Sequence, residues 1–144
     1  LYAVAKVESH LNPKALNLSH RQRTGSYDIG LMQINSSNLP ALARFGISES
    51  DLYSPCTNIH VGAWLLAQTL ARQGLSWDGV GAYNAACTQL KGTACQNARR
   101  RYAWKVYRQL PASAIRSTQA TAVRPQRRSD AKLPLFILAA RVSP

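Results

Sequence analysis

Carboxylates are scarce in this chain. Its 144 residues include six Asp and Glu against eighteen Lys and Arg, a net charge of +12, and only two of the six are glutamates. Such a balance suggests a nucleic-acid binder until the charges are located: residues 1 to 98 hold seven basic against five acidic residues, whereas residues 99 to 144 hold eleven against one. A nearly neutral body with a basic end attracts any polyanion and selects none, so no specific nucleic acid is expected as a partner. Long apolar runs are also missing. The longest, Leu133 to Ala140, is broken by Pro134 and falls well short of the roughly 20 residues that cross a bilayer as a helix, so no transmembrane segment is expected. The histidines His10, His20 and His60 share no ligand spacing with cysteine or acidic residues, which argues against a metal site and leaves no cofactor to expect. No internal repeat is visible.

What is present has the composition of a folded domain, 46 % hydrophobic and 17 % charged. The chain opens without Met directly on helical periodicity, so the first helix is expected to be truncated and preceded by further residues, among them any signal peptide. Leu1, Val4, Ala5 and Leu11 share one arc of that helix, with Lys6, Ser9 and His10 opposite, and Asn12-Pro13 stops it. Residues 14 to 35 read as irregular, with a short hairpin near Tyr27 to Ile34. Ser37 is expected to cap "NLPALARF", and "SPCTNIHVGAWLLAQTLARQG" is the strongest helix, with Pro55 first, Gly74 past its end and a core stripe of Ile59, Ala63, Leu66 and Leu70. Ser76 starts "WDGVGAYNAA", and residues 96 to 110 form a last helix on Tyr102, Val106 and Leu110. Trp64 and Trp77 read as core residues, and Arg99, Arg100 and Arg101 as the solvated start of that last helix. From Pro111 the composition turns to Ala, Ser, Thr, Gln, Arg and Pro without a period, so two regions are expected: a domain over 1–110 and a basic, little-structured tail over 111–144.

Glu8 stands out in this pattern. At about 100° per residue it falls between Val4 and Leu1, inside the apolar arc. Burial disfavours an ionised carboxylate and raises its pKa, which keeps a proton available near neutral pH, as a general acid requires. The alternative is a buried glutamate neutralised elsewhere in the fold.

Four stretches in order, "VESHLNP", "DIGLMQIN", "NIHVGAWLL" and "GAYNAA", decide between these readings. At these intervals they resemble the lytic transglycosylases of the lysozyme superfamily, most of all the small members that accompany secretion and conjugation machinery. The resemblance covers residues 1 to 110. It implies a mainly α, lysozyme-like domain of the goose-type or SLT kind, with at most a short β-hairpin beside a glycan cleft. The implied activity cuts the bond between N-acetylmuramic acid and N-acetylglucosamine in peptidoglycan without water, leaving 1,6-anhydro ends. The implied setting is a periplasmic monomer that opens the wall for a secretion or conjugation apparatus.

Carried over by motif, Glu8 resembles the family's catalytic acid and base and Ser9 the residue that helps position the site. Met32 and Gln33 of "GLMQ" look like cleft-wall and sugar-contacting residues, and Tyr83 and Asn84 of "YNA" like groups that approach the carboxylate from a later helix. Asp28 occupies the place where animal-type lysozymes, with a similar "DYG…QINS" stretch, carry a second carboxylate; it would stabilise an oxocarbenium ion or orient a water, or else serve only as a turn residue. Gly30 permits a close backbone approach to a helix or a sugar. The family's usual "YNAG" departs here, with Ala86 in place of the glycine and Cys87 following.

Two other functions stay open at this level: a hydrolytic muramidase using Glu8 and Asp28, and a noncatalytic glycan-binding or assembly adaptor. Three cysteines point to an oxidising compartment. Cys87 and Cys95 bracket a loop that a disulfide could close, which leaves Cys56 without a partner; three reduced, buried thiols are the alternative.

Overall fold

The computed structural model describes residues 1–87 and 90–112. Residues Leu1–Pro111 form one compact unit. Most of the segment read as a basic tail lies outside the described residues.

The chain forms helix α1 (Tyr2–Ser9), strand β1 (Leu16–Asn17), a single turn α2 (Arg21–Thr24), strands β2 (Asp28–Ile29) and β3 (Ile34–Asn35), helix α3 (Leu39–Ala43), helix α4 (Pro55–Gln73), helix α5 (Trp77–Asn84) and helix α6 (Gly92–Tyr107). The architecture is mainly α and lysozyme-like. The strands pair antiparallel in the order β1-β2-β3, so the expected hairpin, β2 with β3, gains a third strand that two residues in an irregular stretch did not announce. Asn17, Asp28 and Asn35 stand side by side in one row of that sheet, and Leu16, Ile29 and Ile34 in the next.

Helix α1 ends earlier than proline predicts, at Ser9, because His10 and Leu11 take left-handed backbone angles, φ 55° and 66°. Leu1 and Leu11 thus fall outside the helical cylinder and are exposed, and the buried face consists of Ala3, Val4, Ala5 and Ser9. Ser9, expected opposite the apolar arc, lies inside it.

The core is centred on Ile29, Met32, Ile34, Leu42 and Leu52, all essentially fully buried, each worth about 1.5–3 kcal/mol of transfer free energy. Helix α4 begins with Pro55 at its first turn and ends at Gly74. Its buried residues are Asn58, Val61 and Gly62, not the predicted stripe, whose members are only half-buried. The reason is distance: a Cβ on Gly62 would lie 2.6 Å from the Met32 side chain, so the smallest face of α4 turns toward the tightest contact. Gly30 is constrained in the same way, with φ 74° and a missing Cβ that would land on the Asn58 amide and the Leu52 carbonyl; the close approach it permits is to a helix.

Asn58, fully buried, donates to the carbonyls of Ile29 and Leu52 at 2.9 and 2.7 Å and accepts from the Met32 amide at 2.7 Å. Capping differs from expectation at α3 and follows it at α5. Asn35, not Ser37, receives the backbone N–H at the turn before α3, while Ser76 caps α5 through the Gly79 amide. Trp64 and Trp77 lie at the surface, 44 % and 47 % exposed, packed edge-on against Phe45 and Tyr107. Arg99 sits within α6, bonded to Asp78 and to the Ala85 carbonyl. Cys87 and Cys95 are joined by a disulfide, and Cys56 is an exposed free thiol.

Candidate active site

Glu8 occupies the last turn of α1, against α6. Its carboxyl accepts a 2.5 Å hydrogen bond from the Tyr102 hydroxyl. Beside it lies a cleft of about 240 Å³ whose lining includes Val7, Glu8, Asn84, Arg101, Tyr102 and Lys105. Burial raises the Glu8 pKa from 4.5 to about 7; the Tyr102 hydrogen bond opposes the rise, Asp28 adds to it, and Lys105 opposes it. Desolvation outweighs the hydrogen bond, so Glu8 is about half protonated at neutral pH. Burial, followed by the Glu8 carboxyl, lifts the hydroxyl pKa values of Tyr83 and Tyr102 far above the usual range, which keeps both as neutral donors.

Tyr83 does not bond Glu8. It donates to the Met32 carbonyl at 2.9 Å and so fixes the turn between β2 and β3 from helix α5. Ser9 fixes the same turn from α1, donating to the Leu31 carbonyl at 2.8 Å; buried at 8 % exposure, its side chain is part of the support and not a sugar contact. The Met32 side chain has no exposed surface and sits under Gly62, so it cannot wall a cleft as expected. Gln33 completes the turn with φ 48°, its amide nitrogen donating to the Gly30 carbonyl at 2.9 Å. Of the residues expected to contact the sugar, Ser9, Met32, Gln33, Tyr83 and Asn84, only Asn84 lines the cleft with Glu8.

Asp28 has a different environment. Its Oδ1 accepts from Asn35 at 2.7 Å, and its Oδ2 accepts from His20 at 2.7 Å and from Asn17 at 3.3 Å. These are side-chain partners, not the local backbone of a turn residue, and the charge of Asp28 is felt at both Glu8 and Tyr83.

Tyr102 and His20 were not singled out for these contacts. The signal for Tyr102 was a phenol in a buried stripe, because a buried hydroxyl needs a partner. A larger hollow of about 1210 Å³ lies where α6 meets α5, lined by Trp77, Trp104 and Tyr107. Among the described residues its one carboxylate, Asp78, is bonded by Arg99, whereas the smaller cleft holds Glu8 with its raised pKa. Among the described residues, no group of His, Cys, Asp and Glu could hold a metal ion, and no helix is long and apolar enough to cross a membrane.

Comparison with known proteins places the chain in a family. The chain is 42 % identical over 114 residues to the invasion protein IagB of Salmonella typhi, covering 76 % of this chain and 67 % of that protein. It is 38 % identical over 120 residues to protein IpgF of Shigella flexneri, covering 83 % and 74 %, and 41 % identical over 110 residues to the X polypeptide of Escherichia coli, covering 75 % and 62 %. The transglycosylase SLT domain matches residues 1–106, from the start of the Glu8 helix to the Tyr102 helix that closes on it, and the chain belongs to that family.

Proposed function

We propose that the chain cleaves the MurNAc–GlcNAc bond of peptidoglycan without water and leaves 1,6-anhydro-MurNAc ends. The observation that carries this reading is the single cleft carboxyl of Glu8, held near pH 7 by burial and steered by Tyr102. A carboxyl with a pKa near the working pH can give a proton and take one back. Glu8 protonates the glycosidic oxygen, the bond from the MurNAc anomeric carbon to that oxygen breaks with its electron pair leaving on oxygen, and the substrate's own N-acetyl group stabilises the positive centre. The ionised Glu8 then accepts the proton of the MurNAc 6-hydroxyl as that oxygen closes on the anomeric carbon. No water is consumed, and the carboxyl returns to its starting state.

Asn84 lies where it can contact the sugar. Ser9, Tyr83 and Gln33 hold the turn between β2 and β3, and the charge of Asp28 acts on Glu8. The biological role we propose is local opening of the wall, in the periplasm, for a secretion or conjugation apparatus. Similarity to the Salmonella invasion protein supports that setting.

Digestion of purified peptidoglycan followed by mass spectrometry tests the reading. Anhydro-muropeptides from the wild type and none from Glu8→Gln are expected. Reducing-end products would instead favour the muramidase using Asp28, and absence of release by the wild type would favour the glycan-binding adaptor.

A further inference from the structure

Helix α6 contributes Ala98, Arg101, Tyr102 and Lys105 to the lining of the Glu8 cleft. Offsets of three, four and seven residues put them on one face of the helix. Tyr102, buried, turns its hydroxyl to Glu8. Arg101 and Lys105 are exposed and have no partner of opposite charge, since among the described residues the ion pairs are His20 with Asp28 and Arg99 with Asp78.

Like charges four residues apart on a helix repel, so this pair costs α6 some stability. Folding does not account for it. Neither does Glu8, which takes its hydrogen bond from Tyr102; Lys105 is the weakest of the four influences on its pKa, and Arg101 is not one of them. With Glu8 protonated, as it must be to begin the reaction, the described lining of the cleft holds two cations and no anion.

A site so charged fits an anionic ligand. The sugar rings of the glycan are neutral, bearing hydroxyl and N-acetyl groups. What separates MurNAc from GlcNAc is a lactyl ether on the 3-oxygen, and that arm ends in a carboxyl. In the wall this carboxyl is free or joined by an amide bond to a peptide with carboxylates of its own, so either way the arm brings negative charge to the sugar at the cleaved bond.

We propose that Arg101 and Lys105 are specificity-determining residues that bind a carboxylate on the lactyl arm of MurNAc. The inference rests on the reading of the Glu8 cleft as the place of cleavage. The Arg101 guanidinium can hold the carboxylate through two parallel N–H bonds, and the Lys105 ammonium adds a point charge one helical turn away. Asn84, from α5, is left for the neutral part of the sugar. Holding the arm here sets which of the two alternating sugars faces Glu8, so the bond cut is the one at the MurNAc anomeric carbon.

The test compares kcat and KM for muropeptide release from purified peptidoglycan and from the same material with its carboxylates amidated. On native material, Arg101→Gln combined with Lys105→Gln should raise KM about tenfold, a factor of roughly three for each exposed charge, with little change in kcat. Glutamine keeps the helix propensity, and circular dichroism checks the fold. Arg101→Lys combined with Lys105→Arg keeps both charges and should restore most of the affinity. Added salt should raise the wild-type KM more than that of the neutral double variant. On amidated material the two should have the same KM. Strands freed of peptide by an amidase then identify the anion: a preserved tenfold difference assigns it to the lactyl carboxyl, and a lost one to the stem peptide. Equal KM values on native material, or a difference that survives amidation, overturn the role of Arg101 and Lys105 and leave the cleavage reading standing. A wild type that releases nothing from native material overturns both.

Discussion

Glu8 and Asp28 are two carboxyl groups in one small domain, and their surroundings give them different chemistry. Glu8 ends a helix, buried beside α6 with one hydroxyl donor, and its pKa rises to about 7. Asp28 sits in a polar row of a sheet with three side-chain donors. Burial makes the first a carrier of a movable proton, and the second is pinned in place by its three donors. Residue type alone would not separate them.

Removing each carboxyl in turn gives the largest contrast. Glu8→Gln should lower turnover by about 10³-fold, within the range for loss of a general acid, measured by release of soluble muropeptides. Asp28→Asn should cost about tenfold, an electrostatic contribution of about 1.4 kcal/mol. Equal losses would break the distinction.

The second prediction concerns what ties the sheet that carries Asp28 to helix α4. Asn58→Ala leaves the Ile29 and Leu52 carbonyls and the Met32 amide unpaired, and should destabilise the fold by about 3 kcal/mol or more in urea unfolding.

The third follows from proton linkage. Because the Glu8 pKa is raised on folding, from 4.5 to about 7, the folded state binds the proton more tightly. The favourable contribution is complete below about 4.5, is lost across the window from 4.5 to about 7, and is gone above it. The group should thus make the protein less stable at pH 8 than at pH 4 by about 3 kcal/mol. Glu8→Gln should remove that part of the slope and be more stable than wild type at pH 8 in thermal unfolding. Activity should fall as pH rises through about 7, where Glu8 loses its proton.

The fourth is the smallest. Tyr102→Phe removes the hydrogen bond that lowers the Glu8 pKa, so the alkaline limb of the pH–rate profile should move to higher pH. An unmoved or lowered limb would mean that the hydroxyl does not act on the carboxyl.

Much of this was legible in the sequence because it depends on local signals. Pro55 and Gly74 bracket α4 as expected, and Glu8 was visible as a charge within an apolar arc. Periodicity was less informative about which face goes inside. In α4 the larger side chains lie on the flanks and Gly62 meets Met32, because the separation between backbones, not hydrophobicity, selects the smallest residue. The first strand was invisible because two residues carry no period. Ser9 was misplaced because a serine that bonds the Leu31 carbonyl is as well accommodated inside as a methyl group. Tyr102 and His20 gain their site contacts from partners 94 and 8 residues away, which a reading one segment at a time does not join.

The Asn58 side chain has a further consequence. One amide group answers carbonyls at the sheet and at the turn before α4, and also receives the Met32 N–H. These segments cannot fray one at a time, since loosening any of them strips the same side chain of a partner. The Met32 amide should therefore exchange with deuterium only when the whole domain opens, and its exchange rate would serve as a gauge of global stability within the scaffold of the site.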